Sequence, residues 1–328
     1  MKINFFINRD KTVGGENVLK FFATVTTLDK NIYKYQNFKD IIKTLYKKDF
    51  ENEFVFTTLQ KYNILNMFFS VFKNYTPIIR ETFLYSYRKN SIKNIFFNTI
   101  YKFLLYVSNP LVIVQSRYME KDFIQKFKYK NILLVNNPID PKIIDTYSEI
   151  ENYDFKYIIY VGRLVEDKGV HILIDSYLKS DLPQNNIKLL IVGDGSYKNN
   201  LLKVAQNSEM ILFFGNIKQP FNLIKNSEFL VLPSLHEGFP NVLLESIGLD
   251  TLFLSNNIPS VKEMCFDDNS FLYNDKLELI NKLNTFIALN TYNKDNLLNK
   301  LKQYKEFYNY QNIIKDFDKE IGDYTECL

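Results

Sequence analysis

In the C-terminal half, the apolar positions fall in short unbroken runs. Between the runs, apolar residues recur every three or four positions. The runs "KYIIYVGR", "IKLLIVGDG", "MILFFGN", "EFLVLPS" and "TLFLSN" read as buried strands. "VHILIDSYLKS", "SYKNNLLKVAQNS", "PFNLIKNS" and "NVLLESIGLD" carry helical spacing. Continuous apolar strands alternating with helices predict βαβ units on a parallel sheet. Their ends are Gly, Asp, Asn or Ser, and ligands bind at the carboxyl ends of such strands. The N-terminal half repeats the theme less cleanly. "KINFFIN", "EFVFTTL", "TPIIRE", "LVIVQS" and "NILLVNN" read as strands, and "GENVLKFFATVTT", "NILNMFFSVFKN", "SIKNIFFNTIYKFLLYV" and "RYMEKDFIQKF" as helices. The two prolines of "NNPIDPK" and the polar "DTYSEIENYD" mark a linker. From about residue 275 the tail is helical. The pattern predicts an α/β chain of two Rossmann-like domains, residues 1–150 and 151–328. The last helix, about 307–324, is expected to cross back to the first domain. Two such domains facing each other across a cleft suit one ligand gripped from both sides, without naming it.

Composition narrows this little: 328 residues, 46% hydrophobic and 24% charged, describe an ordinary folded chain. Cys265 and Cys327 belong to no CxxC or Cys/His cluster, so neither a disulfide framework nor a zinc site is expected. The apolar stretch that opens "MKINFFINRDK" is too short for a signal-peptide core, and no apolar stretch is long enough to span a bilayer. The expected place is the cytoplasm, or the cytosolic face of the cell membrane as a peripheral protein. Charge is divided unevenly. Residues 1–150 hold 23 Lys and Arg against 13 Asp and Glu, while the rest hold 18 against 24. The basic half suits an acidic lipid, a lipid diphosphate or nucleic acid, or is simply a solvated surface. "IKNIFFNTIYKFLLYV" allows shallow membrane attachment, although apolar residues nearly all round it argue for burial. No basic stripe with stacking aromatics is present, so nucleic acid is not an expected partner.

The chemistry concentrates in "HEGFPNVLLES", where Glu237 precedes a turn and Glu245 lies inside the following helix. Pro240 suits a helix start. The amides of Asn241, Val242 and Leu243 would then lack intrahelical partners and, with the helix dipole, make an anion site. Gly238 leaves room for a ligand near the backbone. Carboxylates do not bind phosphate, so the two acids call for hydroxyls on either side of it. A nucleoside diphosphate sugar, with ribose, diphosphate and hexose, meets all these demands. In "VGRLVEDKG", Arg163 and Lys168 can clamp a diphosphate. Alone they would read as surface charges; beside the Glu-Gly-Phe-Pro turn of the same sheet they read as part of a site.

Arg163 and Lys168, "GDG" at 193–195, "FFGN" at 213–216 and the Glu237–Glu245 pair resemble the retaining GT-B glycosyltransferases of family GT4, in order and through most of residues 155–275. "VGGENVLKFFA" resembles the family's glycine loop. The resemblance implies a GT-B fold and transfer of a hexose or N-acetylhexosamine from a nucleotide diphosphate sugar, with uracil as the expected base. The acceptor would be a growing surface glycan or a lipid-linked oligosaccharide. It further implies that Arg163 and Lys168 neutralise the leaving diphosphate and that Glu237 touches the sugar hydroxyls near the reacting carbon. Glu245 would accept from the ribose hydroxyls. Asn241 and Val242 would hold the distal phosphate or sugar, with Gly238 and Phe239 of the same turn at the donor. Asn216 and Ile217 would line the base pocket, and Gly14 and Gly15 would let the first-domain loop approach the phosphates and the acceptor. No cofactor or metal is expected. The Asp316-Phe317-Asp318 triplet sits in the helical tail and reads as a solvated helix face.

Departures from the family are also visible. Many relatives carry a first-domain His, but His171 and His236 both lie in the second half. The corresponding stretch, "TPIIRETFLYSYRKN", offers Arg80 and Glu81 as acceptor-side candidates or as a surface ion pair. His236 reads as a loop-shaping residue. The segment between the first helix and "FVFTTL" is short, so a strand–helix pair of the first sheet is expected to be missing. Cys265 reads as core packing. A GT-B-fold epimerase, a sugar phosphorylase and a non-catalytic sugar-nucleotide sensor are the competing readings.

Overall fold

Alternating apolar runs and amphipathic segments become two parallel six-stranded sheets in the computed structural model, which describes residues 2–9, 14–87, 91–141 and 153–326. The chain forms two units, Met1–Pro138 with Tyr310–Leu328, and Ile139–Asn309. The anticipated division at residue 150, and most of the anticipated linker, lie outside the described residues.

The first unit runs β1 (Ile3–Asn8), α1 (Gly14–Val25), β2 (Lys30–Tyr35), α2 (Phe38–Lys47), β3 (Phe54–Thr58), α3 (Gln60–Ser70), β4 (Thr76–Arg80), α4 (Ile92–Ser108), β5 (Leu111–Val114), α5 (Arg117–Phe127) and β6 (Ile132–Leu134). Its strand order is β2-β1-β3-β4-β5-β6, so the direction of winding reverses between β1 and β3. The missing strand–helix pair is a correction: β2 and α2 occupy that segment. Asn37 starts α2 with a capping box, accepting from the amides of Lys39 and Asp40 while Asp40 accepts from its own. The C-terminal helix α13 (Tyr310–Glu326) belongs to this unit. Its Phe317 ring packs 4.8 Å from Phe22, inside a core with Phe5, Phe56 and Ile113. The Asp316-Asp318 pair is therefore not a simple solvated face. Asp318 accepts from the Thr26 hydroxyl and from both the amide (2.8 Å) and the hydroxyl (2.7 Å) of Thr27. It ties α13 to the end of α1.

The second unit runs β7 (Tyr157–Val161), a 3-10 turn (Glu166–Lys168), α6 (Val170–Leu178), β8 (Lys188–Val192), α7 (Lys198–Val204), β9 (Ile211–Gly215), α8 (Phe221–Lys225) and β10 (Leu230–Leu232). It continues through α9 (Asn241–Gly248), β11 (Phe253–Asn256), α10 (Pro259–Met264), β12 (Leu272–Tyr273), α11 (Lys276–Ile287) and α12 (Thr291–Phe307). The order β12-β11-β10-β7-β8-β9 reverses between β7 and β10. Strands such as "YIIYV" and "LVL" are buried along nearly their whole length because helices cover both faces. Cys265 is fully buried, as a packing residue should be, and burial pushes its thiol up to about 12.

Candidate donor site at a switch point

In an open α/β sheet the crevice forms where strand order reverses, because the loops on either side leave in opposite directions. In the second unit that point lies between β7 and β10. The loop after β7 carries Arg163 and Lys168, and the loop after β10 carries Glu237. The two loops are stitched together. The Leu235 amide donates to the Asp167 carbonyl at 2.9 Å. Gly169, at φ 63°, brings its α-carbon so close to the second loop that a β-carbon would lie 2.1 Å from the Pro233 carbonyl oxygen. The "GDG" loop after β8 joins them, with Leu164 donating to the Asp194 carbonyl (2.9 Å) and accepting from Tyr197 (2.9 Å). Gly193, at φ 141°, is needed because a side chain there would strike the Gly162 carbonyl. These glycines serve loop-to-loop packing.

Within this frame three of the anticipated residues gather. Lys168 donates to Glu237 Oε1, both side chains being mostly buried. The Ser234 hydroxyl donates to the same oxygen at 2.7 Å, and the Ser260 hydroxyl donates to the Glu237 carbonyl at 2.7 Å. Ser234 in turn accepts at its carbonyl from the Asn256 amide at 3.2 Å. Arg163 is exposed and has no ion-pair partner among the described residues. Its carbonyl accepts from the buried Tyr160 hydroxyl at 3.0 Å. Burial raises the Tyr160 phenol first, the Glu237 carboxylate raises it further, and Arg163 opposes both. Both charges therefore lie near one phenol. His236 is driven below its ordinary value by burial, against the pull of Asp167 and Glu237. Sequence reasoning missed Ser234, Ser260 and Tyr160, whose only signal is a small or phenolic residue beside a strand end.

The remaining donor-side candidates are more dispersed. Glu245 lies in α9, partly buried, and no hydrogen-bond donor or cation reaches its carboxyl among the described residues. Burial alone pushes it up to about 7. Pro240 is the N-cap of α9, in extended conformation. The Leu243 amide donates to the Pro240 carbonyl at 3.1 Å, so the expectation of a free Leu243 amide is corrected. Asn241 and Val242 open the helix, and Gly238 lies in the turn before it. Phe239 turns its ring edge toward Tyr308, 5.9 Å away. Asn216 is exposed just after β9, and Ile217 packs on the core.

In the first unit, Arg80 and Glu81 end β4 and are 2% and 1% exposed, which overturns the surface ion pair. Their hydrogen bonds go to different groups. Arg80 donates to the Gly15 carbonyl (3.3 Å) and to Asn137 Oδ1 (2.5 Å), and burial lowers it to about 10. Glu81 accepts from Tyr85 (2.9 Å), Tyr101 and Asn63 (3.3 Å). Gly14 and Gly15 begin α1; a β-carbon on Gly15 would lie 2.7 Å from Thr82, so Gly15 makes room for protein. Among the described residues no group of His, Cys, Asp and Glu gathers as a metal site, and no helix is long and apolar enough to cross a membrane.

Known proteins share both sequence and fold. The family described as "Glycosyl transferases group 1" matches residues 145–308. Over 281 residues the chain is 30% identical to the N-acetylgalactosamine-N,N'-diacetylbacillosaminyl-diphospho-undecaprenol 4-alpha-N-acetylgalactosaminyltransferase of Campylobacter jejuni, covering 82% of this chain and 73% of that one. It is 31% identical over 136 residues to the capsular polysaccharide biosynthesis glycosyltransferase CapM of Staphylococcus aureus, 40% of this chain and 34% of the relative. The structure of Anabaena HepE in complex with UDP superposes over the whole of both chains with a TM-score of 0.74 at 16% identity.

Proposed function

The chain belongs to the glycosyl transferases of group 1, and on that premise we propose that it moves a hexose or N-acetylhexosamine from a UDP-sugar to a lipid-linked or growing surface glycan, with retention and without a metal. It is a glycosyltransferase of GT-B fold. The observation that carries the donor side is the contact of Lys168 with Glu237 between the loops on the two sides of the β7/β10 switch point, with Arg163 on the same loop as Lys168.

In this reading Arg163 and Lys168 neutralise the charge that develops on the departing diphosphate. Glu237, steadied by Ser234, orients the hydroxyls of the transferred sugar. The Glu245 carboxyl, which meets no donor among the described residues, accepts from the ribose hydroxyls, which would favour its ionised form. The bond from the anomeric carbon to the diphosphate oxygen breaks through an oxocarbenium-like state. The acceptor oxygen bonds to the same face, and its proton passes to the released phosphate oxygen. Asp318, already engaged by Thr26 and Thr27, supports a metal-free reading of the Asp-x-Asp triplet. The lipid-linked acceptor is supported by the diphospho-undecaprenol acceptor in the name of the Campylobacter relative, and UDP by the ligand of the HepE structure. A peripheral place on the membrane belongs to the same proposal.

A thermal-shift panel of UDP-, GDP- and ADP-sugars tests the donor. A donor at a hundred times its Kd adds about 2.7 kcal/mol, so the UDP-sugars should raise the melting temperature and the others should not. Product analysis with undecaprenyl-diphosphate-linked saccharides then tests transfer. Donor binding without transfer to any of them would favour a sensor and overturn the reading.

A further inference from the structure

We infer that the outer face of α4 is a membrane-docking surface, and that its occupant is an anionic lipid bilayer. At 3.6 residues per turn, Ile95, Phe96, Phe103, Tyr106 and Val107 fall within an arc of about 120°. All five are exposed, Phe96 by 64% and Phe103 by 65%. The opposite arc, with Tyr101, Leu104 and Leu105, is buried in the core. Helix α4 is therefore apolar on two faces, and only one is covered by its own unit. Phe68 on α3, which packs beside α4, and Phe72 just past the end of α3 are exposed as well, their rings 5.2 Å apart. Exposed contiguous apolar surface of this kind marks an interaction site.

Charge selects the occupant. From Phe54 to Met119 the sole acidic residue is Glu81, buried among Tyr85, Tyr101 and Asn63, against seven Lys and Arg besides the equally buried Arg80. Tyr106 donates to the carbonyls of Phe127 (3.2 Å) and Lys128 (2.9 Å), which places the end of α4 beside the exposed Lys126, Lys128 and Lys130. An apolar stripe bordered by lysines, on a helix of 17 residues that is not a spanning segment, has the amphipathic make-up that lies in a lipid interface with phosphate headgroups at its rim. A second copy of the chain would bring the same positive charge to the contact.

This inference deepens the membrane part of the proposed function and rests on it, so vesicle binding is measured apart from sugar transfer. The chain has no tryptophan, so Phe103→Trp supplies a single reporter on the stripe and Tyr292→Trp, on exposed α12, a control. Vesicles of phosphatidylcholine with phosphatidylglycerol should blue-shift Phe103→Trp emission, and brominated acyl chains should quench it. Pure phosphatidylcholine should do far less, high salt should weaken the effect, and Tyr292→Trp should not respond. Phe96→Glu with Phe103→Glu should lower vesicle affinity roughly tenfold per lost ring while the UDP-sugar thermal shift stays unchanged. Unchanged Phe103→Trp emission with anionic vesicles would overturn the inference. So would a blue shift without vesicles that grows with protein concentration, which would assign the face to a second copy. Vesicle binding by a chain that transfers no sugar would leave this inference standing and sink the reading above.

Discussion

Replacing Glu245 by Gln should stabilise the protein at alkaline pH and weaken its grip on the donor. The side chain is partly buried in α9, no donor or cation among the described residues meets it, and burial pushes its carboxyl from 4.5 to about 7. A carboxyl raised in this way keeps its proton in the folded state when the unfolded chain has released it. Stability is therefore greatest below 4.5, falls as pH rises, and carries the full penalty above about 7. At 1.36 kcal/mol per pH unit, the penalty is about 3 kcal/mol. Gln keeps the shape without the charge, though its buried amide has unmet hydrogen bonds of its own. The net gain at pH 8 is about 1–3 kcal/mol, mostly gone by pH 5. Urea denaturation of both proteins at the two pH values measures it. Affinity should move the other way. Two ribose hydroxyls need an ionised acceptor, so UDP-hexose binding to the native protein should weaken about tenfold per pH unit below 7. The Gln variant should bind roughly 10–100-fold more weakly at pH 8, with a flat pH profile. Calorimetric titration reads this directly. Equal stability profiles together with equal donor affinity would refute the assignment of Glu245.

Gly169→Ala should destabilise the second unit by at least about 2 kcal/mol, since φ is 63° and the new methyl would meet the Pro233 carbonyl; chemical denaturation measures it. Asp318→Ala should cost about 1–3 kcal/mol through the lost Thr26 and Thr27 hydrogen bonds and leave the donor KM unchanged. Chelation with EDTA should likewise spare turnover. Arg163→Ala should change stability by less than about 0.5 kcal/mol, because the side chain is exposed and has no ion-pair partner among the described residues, yet slow turnover roughly 10–100-fold. A variant that kept full kcat would remove Arg163 from the site.

The strands that could be read ahead of the structure are those buried on both faces, where an apolar run has no other explanation. "KNIYKY" was not among them. As β2 it lies at the edge of its sheet with Ile32 and Lys34 exposed, while Tyr33 stacks on Phe6 and packs on the core, and its pattern is that of a polar loop. The two-residue β12 leaves no periodic trace. Helix α4 misleads for the opposite reason. Apolarity all round a helix predicts burial on every side only when its own domain supplies every cover, and here one face is left open.

The site divides along a similar line. Residue types at strand ends were legible because strand-end loops are placed by the sheet, and Arg163, Lys168 and Glu237 could be named as candidates from those loops together with the Glu-Gly-Phe-Pro turn beside them. Pairing was not legible. The Lys168–Glu237 contact spans 69 residues of chain, and the burial of Glu81 comes from Asn63 on α3 and Tyr101 on α4. Such contacts change the chemistry that position suggests. If Lys168 serves the diphosphate and Glu237 the sugar, the two satisfy each other until a donor arrives, and each must exchange part of that contact for the ligand. Ser234 keeps one hydrogen bond on Glu237 through the exchange, so the carboxylate stays oriented when the lysine turns to the phosphates. Ser234→Ala should therefore resemble a mild Glu237 variant, lowering kcat more than it raises the donor KM. A loss confined to KM would mean that Ser234 serves the loop and not the acid.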